Sequence, residues 1–142
     1  MKFELISARE DQIELLIQMN QDLVNDETYD RPPSQEKLKE RWISFFTDKY
    51  KVFLFHVDDQ ISGYCVVHSY DEPKYLRHFF IVESFRRQGV GKKAFNSLLD
   101  ILGVDEIDLD VMVWNEMGIR FWKALGFKER YMGMTYKRDD TK

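Results

Sequence analysis

Cysteine, histidine, glycine and proline are all scarce in this chain of 142 residues. Cys65 is the one cysteine, so no internal disulfide can form, which is typical of a protein in a reducing cytoplasm. The three histidines, His56, His68 and His78, are scattered and give no recognisable metal-ligand spacing. We therefore expect a cytoplasmic protein without a metal site.

Long apolar runs and an excess of positive charge are also missing. No stretch approaches the ~20 continuous apolar residues of a membrane span, and the charged segment 1–10 contains no secretory apolar region. The net charge is −4, whereas a general nucleic-acid binder would usually be basic. We expect neither a membrane nor a nucleic acid as partner. The hydrophobic share of 44% is enough for a sizeable core, and the length fits one domain, 1–142.

The patterning of apolar residues predicts an α/β domain with a mixed sheet. A hairpin around Asp58 and Asp59 and a strand–helix–strand crossover occur in the same chain, which combines antiparallel and parallel pairing. Ser34 follows two prolines and is a predicted helix cap. The predicted strands cover 2–7, 52–57, 61–69, 75–82, 107–113 and 128–136. The predicted helices cover 10–25, a segment after Ser34, 90–102 and 118–125.

The segment 81–93 contains a strand end, a glycine-containing turn and a helix start. No Ser, Thr, Asp or Asn caps the first amides of this helix, and two lysines lie at the positive end of its dipole. A pyrophosphate would accept the free amides and screen the cations, and glycines would let the backbone approach it. The alternative is a solvated helix start whose glycines serve only the turn. The residues concerned are Arg86, Arg87, Gly89, Gly91, Lys92 and Lys93.

A dinucleotide fingerprint must be weighed against this interpretation. Residues 89–94 match G-x-G-x-x-A, and Asp108 or Asp110 follows at about the expected distance of ~20 residues. However, the segment 84–88 separates the first glycine from its strand, and Asp110 is followed by further strand residues. The chain is also short for a nicotinamide enzyme with a substrate domain, and it has no P-loop motif. We reject both nucleotide motifs.

Two sequence blocks resemble the GNAT acyltransferase superfamily. Residues 86–91, Arg-Arg-Gln-Gly-Val-Gly, look like its R/Q-x-x-G-x-G/A signature. A second block is similar to the family pattern of strand, Asn, small residue, aromatic pair and Leu-Gly-Phe. The predicted order of elements also matches, so the resemblance covers nearly the whole chain. The second block comprises Val111, Asn115, Gly118, Phe121, Trp122, Leu125, Gly126 and Phe127.

The resemblance implies a largely antiparallel central sheet that is splayed at the cofactor site and flanked by helices. It implies that acetyl-CoA, the acyl donor, lies between strands 75–82 and 107–113. Backbone groups of 79–81 would pair with the pantetheine arm, and amides of 87–92 would hold the pyrophosphate. The implied cofactor-binding residues are Phe79, Phe80, Ile81, Arg86, Arg87, Gln88, Gly89, Val90, Gly91, Lys92 and Asn115.

Acylation of an amine requires a base near the gap between those two strands. Asp110 is the first candidate, because some relatives carry a glutamate base five residues before the Asn that corresponds to Asn115. The other interpretation makes Asp110 a polar-face strand residue. His78 and Glu83 are weaker alternatives: His78 fits a packed core histidine equally well, and Glu83 fits the start of a turn.

The position at which many relatives carry the general acid differs in this chain. Many relatives have a tyrosine seven residues after the Asn, where this chain has Trp122. An indole N–H cannot deliver a proton at neutral pH, and helical spacing favours Trp122 as a core residue. Tyr131 or Tyr136 could substitute, although nothing local in the sequence supports either.

The acceptor is predicted from the acidic segment after the first helix. Asp26, Glu27 and Asp30 oppose the helix dipole there, which indicates either a cationic amine guest or a solvated helix end. We expect an N-acetyltransferase acting on a primary amine of a small molecule. Alternatives are a protein N-terminal or lysine acetyltransferase and a catalytically silent acyl-CoA sensor. A polyamine-like, aminoglycoside-like, amino-acid or protein acceptor and a homodimer all stay open.

Overall fold

The computed structural model describes residues 1–139, which form one five-stranded sheet and four α-helices. The strands lie in chain order, and the first three pairings are antiparallel while β4 and β5 are parallel. The expected mixed, largely antiparallel sheet is therefore confirmed. The strands are β1 (Phe3–Ser7), β2 (Tyr50–Val57), β3 (Gln60–His68), β4 (Lys74–Ile81) and β5 (Ile107–Asp108).

The helices begin and end at residues with recognisable capping roles. Ser34 caps the second helix, where its Oγ accepts a hydrogen bond from the Lys37 amide at 3.2 Å. Gly103 and Gly126, both left-handed, end the third and fourth helices. The helices are α1 (Ile13–Asp26), α2 (Gln35–Phe45), α3 (Val90–Leu102) and α4 (Glu116–Leu125). None of the helices in 1–139 is long and apolar enough to cross a membrane.

The two faces of the sheet carry separate hydrophobic clusters. On one face α1 and α2 bury Leu16 and Trp42 against residues such as Leu54 and Tyr64. On the other face α3 packs against the alternate strand residues, among them Phe55. The first face also holds a buried polar contact, in which Trp42 Nε1–H donates to Asn20 Oδ1 at 3.0 Å. This packing fixes the position of β4 between the two layers.

Two of the strand predictions are wrong: one strand is shorter than predicted, and the other is absent from residues 1–139. The strand predicted over 107–113 ends at Asp108, because the chain then diverges from β4 and has no ladder partner. The strand predicted over 128–136 is absent from the described residues. That segment attaches to the region after β5 through side chains instead, with Arg130 bonded to Asp108 and Tyr131 bonded to Asp110.

Candidate functional site

The gap between β4 and the segment after β5 leaves main-chain groups of β4 free. The two strands pair only at Lys74 with Ile107 and Tyr75 with Asp108. On the opposite edge of β4, the Val82 amide donates to Ser62 O at 2.8 Å. Alternation along an antiparallel strand then directs the main chain of Phe80 toward β3 and that of Phe79 and Ile81 toward the gap.

The turn before α3 presents uncapped amides. Gly89 is the N-cap residue with a left-handed φ of 81°, and no side chain caps the helix. Arg87 has a positive φ of 63° as well. Lys93 is the first residue of the helix whose amide is bonded, at 3.1 Å to Gly89 O, and within 1–139 the amides of 87–92 have no acceptor. This arrangement fits an anion such as a pyrophosphate.

The basic residues around this turn fall into two groups. Arg87, Lys92 and Lys93 are exposed and form no ion pair within the described residues. Arg86 is different, because its Nε–H donates to Ile81 O at 2.8 Å, its guanidinium pairs with Asp26, and it lies 5.4 Å from the ring centroid of Phe80. Arg86 therefore ties the turn to the end of α1.

Gly91 has a packing role that the sequence argument missed. Its φ is not positive, and a Cβ built there would lie 2.9 Å from the Phe121 ring. A side chain at this position would push α3 away from α4. The absence of a side chain at Gly91 thus serves the contact between the two helices, whereas Gly89 supplies the left-handed turn.

Asn115 positions the start of α4. Its Oδ1 accepts a hydrogen bond from the Gly118 amide at 3.0 Å, and a Cβ at Gly118 would lie 2.5 Å from Asn115 Nδ2. The cap therefore requires the small residue three positions later, which explains that part of the second sequence block.

Asp110 lies exposed at the edge of the gap, between two tyrosines. Tyr131 Oη–H donates to Asp110 Oδ1 at 2.9 Å. Burial and then the nearby Asp110 raise the pKa of Tyr75, and the hydrogen bond to Asp110 raises the pKa of Tyr131. Both phenols therefore keep their protons at neutral pH. Tyr75 was missed from the sequence, because only the β4–β5 pairing brings it to Asp110.

The two weaker base candidates lie in unlike surroundings. His78 Nδ1 is 3.0 Å from Tyr64 Oη, and its ring packs edge-on against Trp42 and Phe45. Burial, followed by the charges of Arg41 and Arg77, lowers the pKa of His78 to about 3. His78 is thus neutral and a weak base. Glu83 is exposed and opens the short 3-10 turn Glu83–Phe85.

The partly buried imidazole of His78, packed among aromatic rings, predicts a specific acid sensitivity. Between about pH 6.5 and pH 3 the unfolded chain binds a proton at His78 that the folded protein does not, so the free energy of unfolding should fall as pH falls. The slope contributed by this group approaches ~1.4 kcal/mol per pH unit. Urea unfolding of the parent and of His78→Asn from pH 7 to pH 4 should show a shallower slope in the variant; equal slopes would contradict a neutral His78 in the folded protein.

The three acidic residues predicted to bind the acceptor amine differ in their exposure and in their partners. Asp26 is paired with Arg86, while burial and then Asp26 raise the pKa of Glu27. Asp30 is exposed. The same loop is tied to two other parts of the chain: Trp114 Nε1–H donates to Glu27 O at 3.0 Å, and Arg31 donates to Thr135 Oγ1 at 3.5 Å.

Comparisons with known proteins agree with this arrangement. The model of the acetyltransferase (GNAT) family matches residues 16–127. A structure of the aminoglycoside N-acetyltransferase AAC(6')-Iy, in complex with a CoA-containing bisubstrate analogue, is 17% identical with a TM-score of 0.74, over 98% of this chain and 99% of that one. A protein described as a possible acetyltransferase from Clostridium difficile 630 is 18% identical with a TM-score of 0.75, over 98% and 99% of the two chains.

An aminoglycoside acetyltransferase from an uncultured soil metagenomic sample is also similar. It is 18% identical with a TM-score of 0.64, and the match covers 96% of this chain and 97% of that chain. At such identities the structures establish a shared fold, whereas the choice of acceptor has to come from the side chains of this protein.

Proposed function

Because the chain belongs to the acetyltransferase (GNAT) family, we propose that it transfers an acetyl group from acetyl-CoA to a primary amine of a small molecule. In this reaction a bond forms between the amine nitrogen and the acyl carbon, the C–S bond breaks, and the CoA thiol receives the proton. One observation carries the proposal: the unpaired edge of β4 leads directly to an uncapped, cation-rich helix start.

The residues present fit the acyl donor. Acetyl-CoA would supply the activated acyl group. Free amides of 87–92 and the ammonium of Lys92 suit a pyrophosphate, and the N–H and C=O groups of Phe79 and the N–H of Ile81 suit the amides of the pantetheine arm, whereas Ile81 O is bonded to Arg86. An amide held in a sheet can also polarise a thioester carbonyl, since it is fixed before reaction. Arg86 would act indirectly, because its guanidinium is already bonded to Asp26.

Asp110 is the group best suited to take the proton of the amine. It is exposed at the edge of the gap and accepts a hydrogen bond from Tyr131, which holds the carboxylate in one orientation. His78 is enclosed by aromatic rings, and Glu83 lies on the turn that follows β4. The phenol of Tyr131 gives Asp110 a proton-bearing neighbour, which Trp122 cannot be.

Two observations bear on the alternatives. The contacts of Trp114 with Glu27 and of Arg31 with Thr135 join three segments around the acceptor side, which favours a small molecule over a protein acceptor. The Asp110–Tyr131 pair favours an enzyme over a silent acyl-CoA sensor.

Thiol release from acetyl-CoA with a panel of amines tests the enzyme activity, and a thermal shift with acetyl-CoA tests the binding. If acetyl-CoA gave neither thiol release with any amine nor a thermal shift, the proposal would be overturned.

Gly89 and Gly103 provide a matched pair for testing the pyrophosphate site. Both have positive φ, 81° and 64°, both lie at ends of α3, and a Cβ at either would have no neighbour within 4 Å. An alanine in a left-handed conformation costs roughly 1–2 kcal/mol, so the two variants should lose similar stability. Gly89→Ala should also weaken acetyl-CoA binding by about tenfold or more, because a shifted turn misaligns the amides.

Calorimetric titration with acetyl-CoA and thermal unfolding distinguish these effects. We expect Gly103→Ala to bind like the parent although its melting temperature is lowered. If the two variants bound acetyl-CoA equally well, the uncapped start of α3 would not be the phosphate site.

A further inference from the structure

Two arginines meet on the face of the sheet that α1 and α2 cover. Arg77, on β4, has its guanidinium carbon 5.4 Å from the ring centroid of Phe45 on α2. Arg41 lies on the same helix, next to Trp42, and the His78 ring contacts both Trp42 and Phe45. Arg41 precedes Phe45 by one helical turn, so its side chain leaves α2 on the same side as the Phe45 ring that the Arg77 guanidinium covers.

Neither arginine has a hydrogen-bond or ion-pair partner within residues 1–139. Arg9, Arg86 and Arg130 each pair with a carboxylate, whereas the guanidinium groups of Arg41 and Arg77 make no hydrogen bond and no ion pair there.

Arg41 is half-buried, whereas Arg77 is exposed. Burial first, and then repulsion by Arg77, lower the pKa of Arg41. Two like charges held together without a counter-ion are unfavourable, and a bound anion would relieve the repulsion.

The arginine pair adjoins the acceptor side of the gap. The charge of Arg77 acts on Tyr75, the neighbour of Asp110. The charge of Arg41 interacts with Tyr29, in the loop between α1 and α2. Arg77 follows Tyr75 by two residues on β4, and Tyr75 pairs in register with Asp108, so a ligand at Arg77 would lie near the end of β5 that leads to Asp110.

We propose that Arg41 and Arg77 bind a carboxylate carried by the acceptor, so that the amine substrate is a free amino acid. This inference rests on the acetyltransferase function proposed above. The planar guanidinium fork matches a carboxylate and can bond both of its oxygens. The ammonium end of the same molecule would lie toward Asp110, whose carboxylate favours it. A polycation without an acidic group would be repelled by the pair.

The loop acids agree with this assignment. Asp26 is already neutralised by Arg86, and Glu27 is half-buried, where burial and then Asp26 raise its pKa. The acidic segment therefore attracts a polyvalent cation less than its sequence indicates. Its remaining charge suits the single ammonium group of an amino acid.

Paired substrates test the proposal directly. Thiol release from acetyl-CoA should be measured with the protein amino acids and with the amines that their decarboxylation yields, for example phenylalanine against phenethylamine and lysine against cadaverine. We expect the accepted amino acid to have a KM at least tenfold below that of its decarboxylated partner. Aminoalkylphosphonates form a further arm; preference for them would show that the arginines select another anion and would overturn the carboxylate assignment.

Variants connect the preference to the arginine pair. Arg77→Met keeps an apolar stem over Phe45 and removes the charge, so the KM of the amino acid should rise at least tenfold while the KM of acetyl-CoA is unchanged. Arg120→Met removes an exposed arginine of α4 that forms no ion pair within residues 1–139 and should change neither constant. Equal changes for the amino acid and its decarboxylated partner, or no change in Arg77→Met, would overturn the proposal.

Failure of the proposed reaction has a separate readout. If no amine released thiol, calorimetric titration of the amino acids into the unmodified protein and into Arg77→Met would still measure carboxylate binding. Heat with the parent that is lost in Arg77→Met supports the carboxylate site even if acetyl transfer fails. No heat with either protein would reject the site.

Discussion

Turnover should fall about 10²–10⁴-fold in Asp110→Asn, the range typical for loss of a general base. The substitution preserves shape and leaves an oxygen that can still accept the hydrogen bond from Tyr131. Affinity for acetyl-CoA should change little, because the groups proposed to hold it are main-chain amides of β4 and of the turn before α3. Steady-state kinetics at saturating amine, together with calorimetric titration of acetyl-CoA, measures both quantities.

Asp108→Asn is the matched control for this experiment. Asp108 precedes Asp110 by two residues, at the end of β5, and its carboxylate is bonded to Arg130 at 3.3 Å. The same loss of charge two residues away should change turnover less than threefold if the effect depends on proton transfer rather than on the local field.

The pH dependence gives a second test of the base. The loss of turnover in Asp110→Asn should shrink as pH rises, because a larger fraction of the amine is then already neutral. Unchanged turnover at pH 7 would exclude Asp110 and transfer the assignment to Glu83 or His78. A variant that also lost acetyl-CoA affinity would show that Asp110 supports the cleft instead of reacting.

Local sequence signals predicted the elements that depend on local chemistry. Ser34, Gly103 and Gly126 mark helix ends because capping and left-handed φ are decided by one or two residues. Asp58 and Asp59 likewise mark the hairpin turn, where both have positive φ, 49° and 67°. The uncapped, basic start of α3 could be predicted from the sequence for the same reason.

Features that depend on distant parts of the chain were not readable in this way. The apolar pattern of 107–113 is that of a strand, but a strand also needs a neighbour, and divergence from β4 after Asp108 removes it. The ion pair of Asp26 with Arg86 and the approach of Arg41 to Arg77 join residues far apart in sequence. No spacing rule predicts such contacts, because the packing of α1 and α2 on the sheet creates them.

Trp122 should contribute chiefly to stability, although it occupies the position where many relatives have a tyrosine. Its ring centroid lies 5.1 Å from that of Phe79, 5.9 Å from Phe95 and 5.2 Å from Phe127, so α4 is held against β4 and α3 through this indole. Removing a large aromatic side chain from a packed cluster typically costs about 3–5 kcal/mol. We therefore expect Trp122→Ala to unfold at clearly lower urea concentration than the parent, with Trp122→Phe intermediate.

Trp114→Ala is the control for Trp122→Ala, since it also removes an indole but from an exposed position. Trp114 has 47% of its surface exposed and makes one hydrogen bond, to Glu27 O at 3.0 Å. Its removal should cost on the order of 1 kcal/mol. At a temperature where Trp122→Ala is still folded, its turnover per folded molecule should stay within a few fold of the parent, because an indole N–H delivers no proton. Should Trp122→Ala keep its stability and lose turnover alone, Trp122 belongs to the reacting site and the aromatic cluster does not depend on it.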